Sequence, residues 1–290
     1  MFRKDLLKGK KFLVSGGGSG LGKSMADRFA ELGAELVLCG RRKEMLDQAA
    51  DEMMKKHGGK VVGMPCDIRV AEAVEDMVAE IWRAGPLDGL VNNAAGNFIS
   101  QTKDLSPRAF DAIANIVLHG TFYMTNAVGK RWIDEKRKGS VLSILTTWVW
   151  TGSPFVVPSA MSKAGVAAMT KSLAVEWGRY GIRLNAIAPG PFPTEGAWAR
   201  LSPMGDNRDY ADRIPLGRVG NHSELANMAA FMMADEVEYL SGEVIALDGA
   251  QWLQGTGTFS SMLKYSEGDW QQIRDKIRST NDADKRKRTV

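Results

Sequence analysis

The residues best suited to chemistry form a short glycine loop, Ser15-Gly16-Gly17-Gly18-Ser19-Gly20-Leu21-Gly22, set directly after the apolar run Phe12-Leu13-Val14. Glycines at this spacing allow a tight turn, let backbone N–H groups approach a pyrophosphate, and let the following helix pack closely. Gly16, Gly18, Ser19, Gly20, Leu21 and Gly22 are therefore the expected phosphate cradle of a dinucleotide. The strand pattern before the loop and the helix pattern after it make the motif specific. After the second apolar run comes Cys39-Gly40-Arg41-Arg42-Lys43, where a site for NAD carries an acidic residue for the ribose hydroxyls. Guanidinium groups match a 2′-phosphate in charge and in fork geometry, so Arg41, with Arg42 beside it, points to NADPH. Without such a ligand, cations at a helix start would oppose the helix dipole.

Those residues need elements to hold them, and the hydrophobic pattern supplies two kinds. Phe12-Leu13-Val14, Leu36-Val37-Leu38, Val61-Val62-Gly63, Gly89-Leu90-Val91, Val141-Leu142-Ser143-Ile144, Leu184-Asn185-Ala186-Ile187 and Val244-Ile245-Ala246-Leu247 read as strands. Between them, Lys23 to Leu32, Lys43 to Lys56, Val70 to Arg83, Ser159 to Trp177 and Ser223 to Ala234 read as helices. Apolar runs without in-out alternation suit strands covered on both faces, and strand-helix alternation suits right-handed crossovers. The expected fold is α/β, a single-domain doubly wound parallel sheet of Rossmann type with helices on both faces. Its ligand crevice belongs at the carboxyl ends of the strands.

At 290 residues, 44% hydrophobic and 25% charged, with no compositional break, the chain is expected to form one domain, with 281–290 as a mobile basic tail. Part of the formal net charge of +4 comes from Lys285-Arg286-Lys287-Arg288. No basic stripe interleaved with aromatics accompanies that run, so nucleic acid is not an expected partner. Cys39 and Cys66 have neither disulfide-framework nor metal-site spacing and read as small core hydrophobes in a reducing compartment, with no metal bound. The amino terminus lacks a signal-peptide pattern, and no apolar run nears the roughly 18 residues of a membrane span. A soluble, cytoplasmic protein with no membrane partner is the expectation.

Further segments at strand ends resemble the short-chain dehydrogenase/reductase family. They are Cys66-Asp67-Ile68 after the third strand, Asn92-Asn93-Ala94-Ala95-Gly96 after the fourth, and Pro189-Gly190-Pro191 after the sixth. The resemblance implies that Asp67 contacts the adenine and Asn93 lies along the cofactor. It also implies that Pro189, Gly190, Pro191 and Phe192 form the turn beside the nicotinamide. Within the family, Gly96-Asn97-Phe98-Ile99-Ser100, Gly152 to Ala160, Ala164-Gly165-Val166, Trp177 to Gly181 and Asp269-Trp270-Gln271-Gln272-Ile273-Arg274 are similar to mitochondrial-type 2,4-dienoyl-CoA reductases. That branch uses NADPH to reduce 2,4-dienoyl-CoA to a 3-enoyl-CoA in the breakdown of unsaturated fatty acids. By matching position, Asn97 would hydrogen-bond the thioester carbonyl, Phe98 would flank the acyl chain, and Lys163 would bind the nicotinamide ribose. Ser159 would support the site, and Arg69, Ser106 and Arg200 would contact the CoA of the acyl-CoA substrate. The family's usual assembly implies a homotetramer built on helices at about Arg108 to Lys130 and Ser159 to Trp177.

The chain departs from that pattern at one place. The family's usual Tyr, four residues before the Lys, is here Ser159, which is the branch's normal residue; the branch's own catalytic Tyr, fifteen before, is here Trp148. Tyr123, Tyr180, Tyr210, Tyr239 and Tyr265 match neither position. Ketone reduction leaves charge on an oxygen that must take a proton, and an indole N–H lacks the acidity to give one. Conjugate reduction spreads charge into a thioester dienolate and protonates it at carbon, so a fixed donor to the oxygen is enough. Asn97, helped by the Trp148 N–H if its ring points inward, is a candidate oxyanion site, while the favoured reading of Trp148 itself is a hydrophobic wall or core filler. Thr146, where many relatives keep a Ser, would support substrate or water. His119 falls in a helix expected between subunits and reads as structural. Two function classes stay open: an NADPH-dependent reductase of unsaturated acyl-CoA, and a catalytically weak or inactive member that binds NADPH and acyl-CoA. Reduction of another enone or ketone would keep the chemistry and change the substrate.

Overall fold

The computed structural model describes residues 2–194, 211–257 and 259–288. Every expected strand forms: β1 (Lys11–Ser15), β2 (Glu35–Gly40), β3 (Val61–Pro65), β4 (Gly89–Asn92), β5 (Gly139–Ile144), β6 (Ile182–Pro189) and β7 (Val244–Leu247). All neighbours pair in parallel, in the order β3-β2-β1-β4-β5-β6-β7. The central β1 places Val14 beside Leu38 on one side and Val91 on the other. The order reverses between β1 and β4, which opens a crevice at the carboxyl end of the sheet.

The helices are α1 (Gly20–Glu31), α2 (Lys43–His57), α3 (Ala71–Arg83), α4 (Pro107–Ala114), α5 (Gly120–Asp134), α6 (Trp148–Thr151), α7 (Val157–Trp177), α8 (His222–Met233), α9 (Gln251–Thr256) and α10 (Glu267–Arg288). The long helix expected from Arg108 to Lys130 forms, its backbone right-handed and helical throughout, as α4 and α5 joined by a π-helical turn at Asn115–His119. None of the helices among the described residues is long and apolar enough to cross a membrane. The expected fold forms as a single sheet domain within the compact unit Met1–Gln251, and Trp252–Val290 makes a second, smaller unit. That boundary falls inside α9, so no Pro- or Gly-rich linker marks it. Residues 281–288, expected as a mobile tail, form the last turns of α10.

The unbroken apolar runs are explained by burial on both faces. Along β1, Phe12 and Val14 join one core with Met25, Phe29, Leu38, Leu46 and Leu225, while Leu13 joins the other with Val37, Leu90, Val74, Met124 and Trp132. Alternate side chains thus face opposite layers of helices, and each buried Leu or Val contributes roughly 1.5–3 kcal/mol. Trp132 is fully buried and satisfies its indole by donating to the Leu87 carbonyl oxygen at 2.6 Å. The rigid sheet holds the loops at its carboxyl end, where Ser15, Asn92, Ile144 and Pro189 end their strands.

Candidate active site

A cavity of about 680 Å³ opens at that end of the sheet. Gly16, Gly18, Ser19, Gly20 and Leu21 of the glycine loop line it. Gly22 does not, and its role is packing: a Cβ there would stand 2.2 Å from the Gly16 carbonyl oxygen and 2.5 Å from Asn93 Nδ2. Gly16 has φ +67, a left-handed value that suits glycine. Ser15, almost fully buried, ties this loop to the next one. Its hydroxyl donates to Val91 O at 3.2 Å and accepts from the backbone N–H groups of Asn93 and Ala94 at 3.0 and 3.1 Å. Asn93, also in the lining, donates its side-chain amide to Ser15 O at 3.1 Å.

Arg41, Arg42 and Asp67 line the cavity beyond β2 and β3. Arg69 does not reach it: its guanidinium forks onto the Asp67 carboxylate, with Nε 2.9 Å from Oδ1 and Nη2 2.5 Å from Oδ2. Lying two residues apart across a turn, the pair closes on itself before Arg69 can extend outward. That hydrogen bond, with the charge of Arg41 nearby, holds the Asp67 carboxyl below the usual carboxylate range. Cys39 and Cys66 are buried, as expected, and also form part of the cavity wall. A hydrogen bond between the two thiols, together with burial, pushes the Cys39 thiol up.

Four of the five residues expected to be catalytic come from the β5 end and α7, and Asn97 follows β4. Lys163 is 6% exposed, and its ammonium donates to the Ile144 carbonyl oxygen at the end of β5. Burial lowers its pKa to about 8. Ser159, one helical turn earlier on α7, is buried in the same lining. Thr146 accepts the backbone N–H of Trp148 at 3.3 Å, which sets the start of α6. Both residues face the cavity, and among the described residues the Trp148 indole N–H has no acceptor. Asn97 also lines it, with Oδ1 accepting the Phe98 backbone N–H at 2.9 Å. A carbonyl oxygen accepts that bond, so the Asn97 NH2 is the free end of the amide, a donor with no acceptor among the described residues.

Other expectations fall elsewhere. Phe98 is not in the lining; its backbone N–H donates to Asn97 Oδ1, and it is Asn97 that reaches the cavity. Ser106 caps α4, accepting the Ala109 N–H at 3.2 Å, and this local bond keeps it from the cavity. Arg200 lies outside the described residues. His119 is exposed beside Tyr123 and does not line the cavity, and no tyrosine among the described residues does. Pro189, Gly190, Pro191 and Phe192 complete the wall as expected, joined by Thr194. Ile116 of the π-helical turn, together with Phe155, was not anticipated as lining. Phe155 keeps a left-handed φ of +66 while 52% exposed.

The donor set fits a nicotinamide dinucleotide. An ammonium with one carbonyl acceptor keeps two N–H groups for ribose hydroxyls, and the glycine loop that opens α1 lines the same cavity as Arg41 and Arg42. A family model described as enoyl-(acyl carrier protein) reductase matches residues 16–250. A Caenorhabditis elegans protein named probable 2,4-dienoyl-CoA reductase 3, (3E)-enoyl-CoA-producing, is 43% identical over 98% of this chain and 94% of its own length. A Bacillus subtilis (strain 168) protein named probable 2,4-dienoyl-CoA reductase, (2E)-enoyl-CoA-producing, is 43% identical over 84% of this chain and 97% of its own. The crystal structure of a short chain dehydrogenase from Bacillus anthracis superposes with TM-score 0.76 at 43% identity, covering 83% of this chain and 96% of that one. A putative 2-deoxy-D-gluconate 3-dehydrogenase from Agrobacterium tumefaciens, with bound NADP, gives TM-score 0.79 at 32% identity over 87% of this chain and 100% of its own. Matches of this length and identity leave no other assignment: the chain belongs to the short-chain dehydrogenase/reductase family, oxidoreductases that use nicotinamide cofactors.

Proposed function

We propose that the protein reduces 2,4-dienoyl-CoA with NADPH, giving an enoyl-CoA with its double bond at the third carbon. The observation that carries this reading is the pair of unspent donors, the Asn97 amide and the Trp148 indole, in the cavity that also holds Lys163. Two relatives named probable 2,4-dienoyl-CoA reductases, each 43% identical to this chain, support the substrate, and the one named (3E)-enoyl-CoA-producing, matched over 98% of this chain, supports the product.

NADPH, when bound, supplies the hydride to the far end of the diene. The glycine-loop N–H groups take the pyrophosphate, Arg41 and Arg42 the 2′-phosphate, and Lys163 the nicotinamide ribose. Asn97 and Trp148 donate to the thioester oxygen, where the dienolate charge gathers; such a fixed donor is worth about 10²–10³ in rate. No Tyr or His lines the cavity among the described residues, so water delivers the proton to the carbon beside the thioester, leaving the remaining double bond at the third carbon. Protonation two carbons further along would give the (2E) product.

The second reading, a binding member with little turnover, is favoured by that same lack of a lining phenol. NADPH absorbance assays with 2,4-hexadienoyl-CoA, crotonyl-CoA and acetoacetyl-CoA, run beside a binding titration, separate the two. The expected result is turnover of the dienoyl-CoA fastest and of the ketone slowest. Binding of every substrate without turnover overturns the reductase reading. The assembly is proposed to be a homotetramer through α5 and α7, on which Phe122, Met161 and Val175 are 48%, 57% and 86% exposed. A monomer in light scattering excludes it.

A further inference from the structure

The segment Pro189–Thr194 is gripped by a residue outside the cavity. Its prolines at 189, 191 and 193 have no N–H, so neighbours hold it at those positions only through carbonyl oxygens. The Gly220 N–H donates to Pro191 O at 3.0 Å. Two residues on, His222 places Nε2 2.6 Å from Pro193 O and Nδ1 2.8 Å from Ser24 Oγ. His222 does not line the cavity; it stands in the first turn of α8, started by a capping box between Asn221 and Glu224. Arg218 forks onto the Glu224 carboxylate at 2.7 and 2.8 Å and firms that start.

The partners determine the protons. A carbonyl oxygen only accepts, so Nε2 carries the ring proton, and in the neutral imidazole Nδ1 accepts from the Ser24 hydroxyl. Ser24 sits one turn into α1; its hydroxyl has one hydrogen and two acceptors in reach, Nδ1 at 2.8 Å and the Gly20 carbonyl oxygen at 3.1 Å, and a neutral Nε2–H ring takes it at the shorter contact. One imidazole therefore joins the helix that carries Gly20 into the cavity to the loop that carries Pro191, Phe192 and Thr194 into it.

We propose that His222 is a positioning residue for the cofactor: it fixes the spacing between the two loops that close on NADP(H) and so sets its affinity without touching it. The inference rests on reading the cavity as an NADP(H) site. By calorimetry, His222→Leu is expected to weaken NADP⁺ binding about tenfold, an ordinary cost for lost hydrogen bonds. KM for NADPH should rise in parallel, with kcat at saturating NADPH within about twofold of the wild type, since the reacting groups keep their places. His222→Gln, whose amide donates to Pro193 O and accepts from Ser24, is expected to recover affinity to within about threefold. Ser24→Ala should add little to His222→Leu, because both remove one linkage. The chain has three histidines, so 15N NMR can assign the ring, and the Nε2–H tautomer is expected.

Equal NADP⁺ affinity in wild type and His222→Leu, a glutamine variant no better than leucine, or an Nδ1–H tautomer overturns the inference alone. Should His222→Leu fail to fold, Ser24→Ala and His222→Gln carry the comparison: affinity lost in the first and kept in the second supports the link, and no loss in Ser24→Ala overturns it. A wild-type protein that binds no NADP⁺ overturns the cofactor reading and the inference with it.

Discussion

At Trp148 two roles make different demands on one side chain. A wall needs only a ring; an oxyanion donor needs the indole N–H. Trp148→Phe keeps aromatic bulk and removes the donor, so kcat with 2,4-hexadienoyl-CoA is expected to fall about 10²-fold with KM little changed. Unchanged kcat makes Trp148 a wall and leaves Asn97 alone with the oxygen. Lys163 offers a second test. Burial lowers its pKa to about 8, so the ammonium is charged below that pH and discharges as pH rises through it. The ammonium that would hold the nicotinamide ribose loses a donor and its charge on deprotonation, so kcat is expected to decline above about pH 8. Lys163→Arg, whose side chain stays charged across that range, should flatten the decline. A wild-type profile level from pH 7 to 10 sinks the assignment. Most of these residues were legible because each lies at a fixed offset from a strand end. Arg69 was not, because an aspartate two residues away captures it, and such short-range closure leaves no mark in spacing.

Elements were legible where burial fixes the pattern and obscure where it does not. Phe12-Leu13-Val14 reads as a strand because successive side chains enter opposite cores. The π-helical turn at Asn115–His119 has apolar residues that suit an α-helix equally well, so its extra residue per turn is invisible until Ile116 is found at the cavity. The glycine loop shows how an element enforces its neighbour. Gly22→Ala would drive a Cβ to 2.2 Å from a backbone oxygen, and backbone cannot swing aside as a side chain does. A loss of roughly 1–3 kcal/mol is expected, read as a lower denaturation midpoint with unchanged slope. Phe155 is the opposite case. Its left-handed backbone costs about 1–2 kcal/mol for a residue with a Cβ, so Phe155→Gly relieves strain and is expected to alter stability by less than about 1 kcal/mol. Its KM for the acyl-CoA should nonetheless rise, since the ring that lines the cavity is gone. Stability falling by several kcal/mol with KM intact would make Phe155 a core residue instead of a substrate wall.

On the scale of the molecule, the cavity is assembled from loops that are remote in sequence and adjacent only because the sheet order reverses beside β1. Ligand binding there should therefore stabilise the sheet-bearing unit, Met1–Gln251, as one body. A ligand that binds only the folded state adds about 2.7 kcal/mol at a concentration one hundred times its Kd. For a unit of this size each kcal/mol moves Tm by roughly 2–4 °C, so NADP⁺ at that excess should raise Tm by about 5–10 °C. NAD⁺ at equal concentration should do much less, because Arg41 and Arg42 would face a ribose hydroxyl where they are suited to a phosphate. The discriminating variant is Arg41→Asp. Reversing the charge beside the 2′-phosphate should abolish the NADP⁺ shift and leave the small NAD⁺ shift intact or larger. If NAD⁺ and NADP⁺ stabilise the wild type equally, the arginine pair does not read the phosphate, and the preference for NADPH fails while the fold and the site geometry stand. A denaturation scan of the same samples carries one more comparison: a ligand-induced shift confined to the main transition fits a site built within the sheet unit alone.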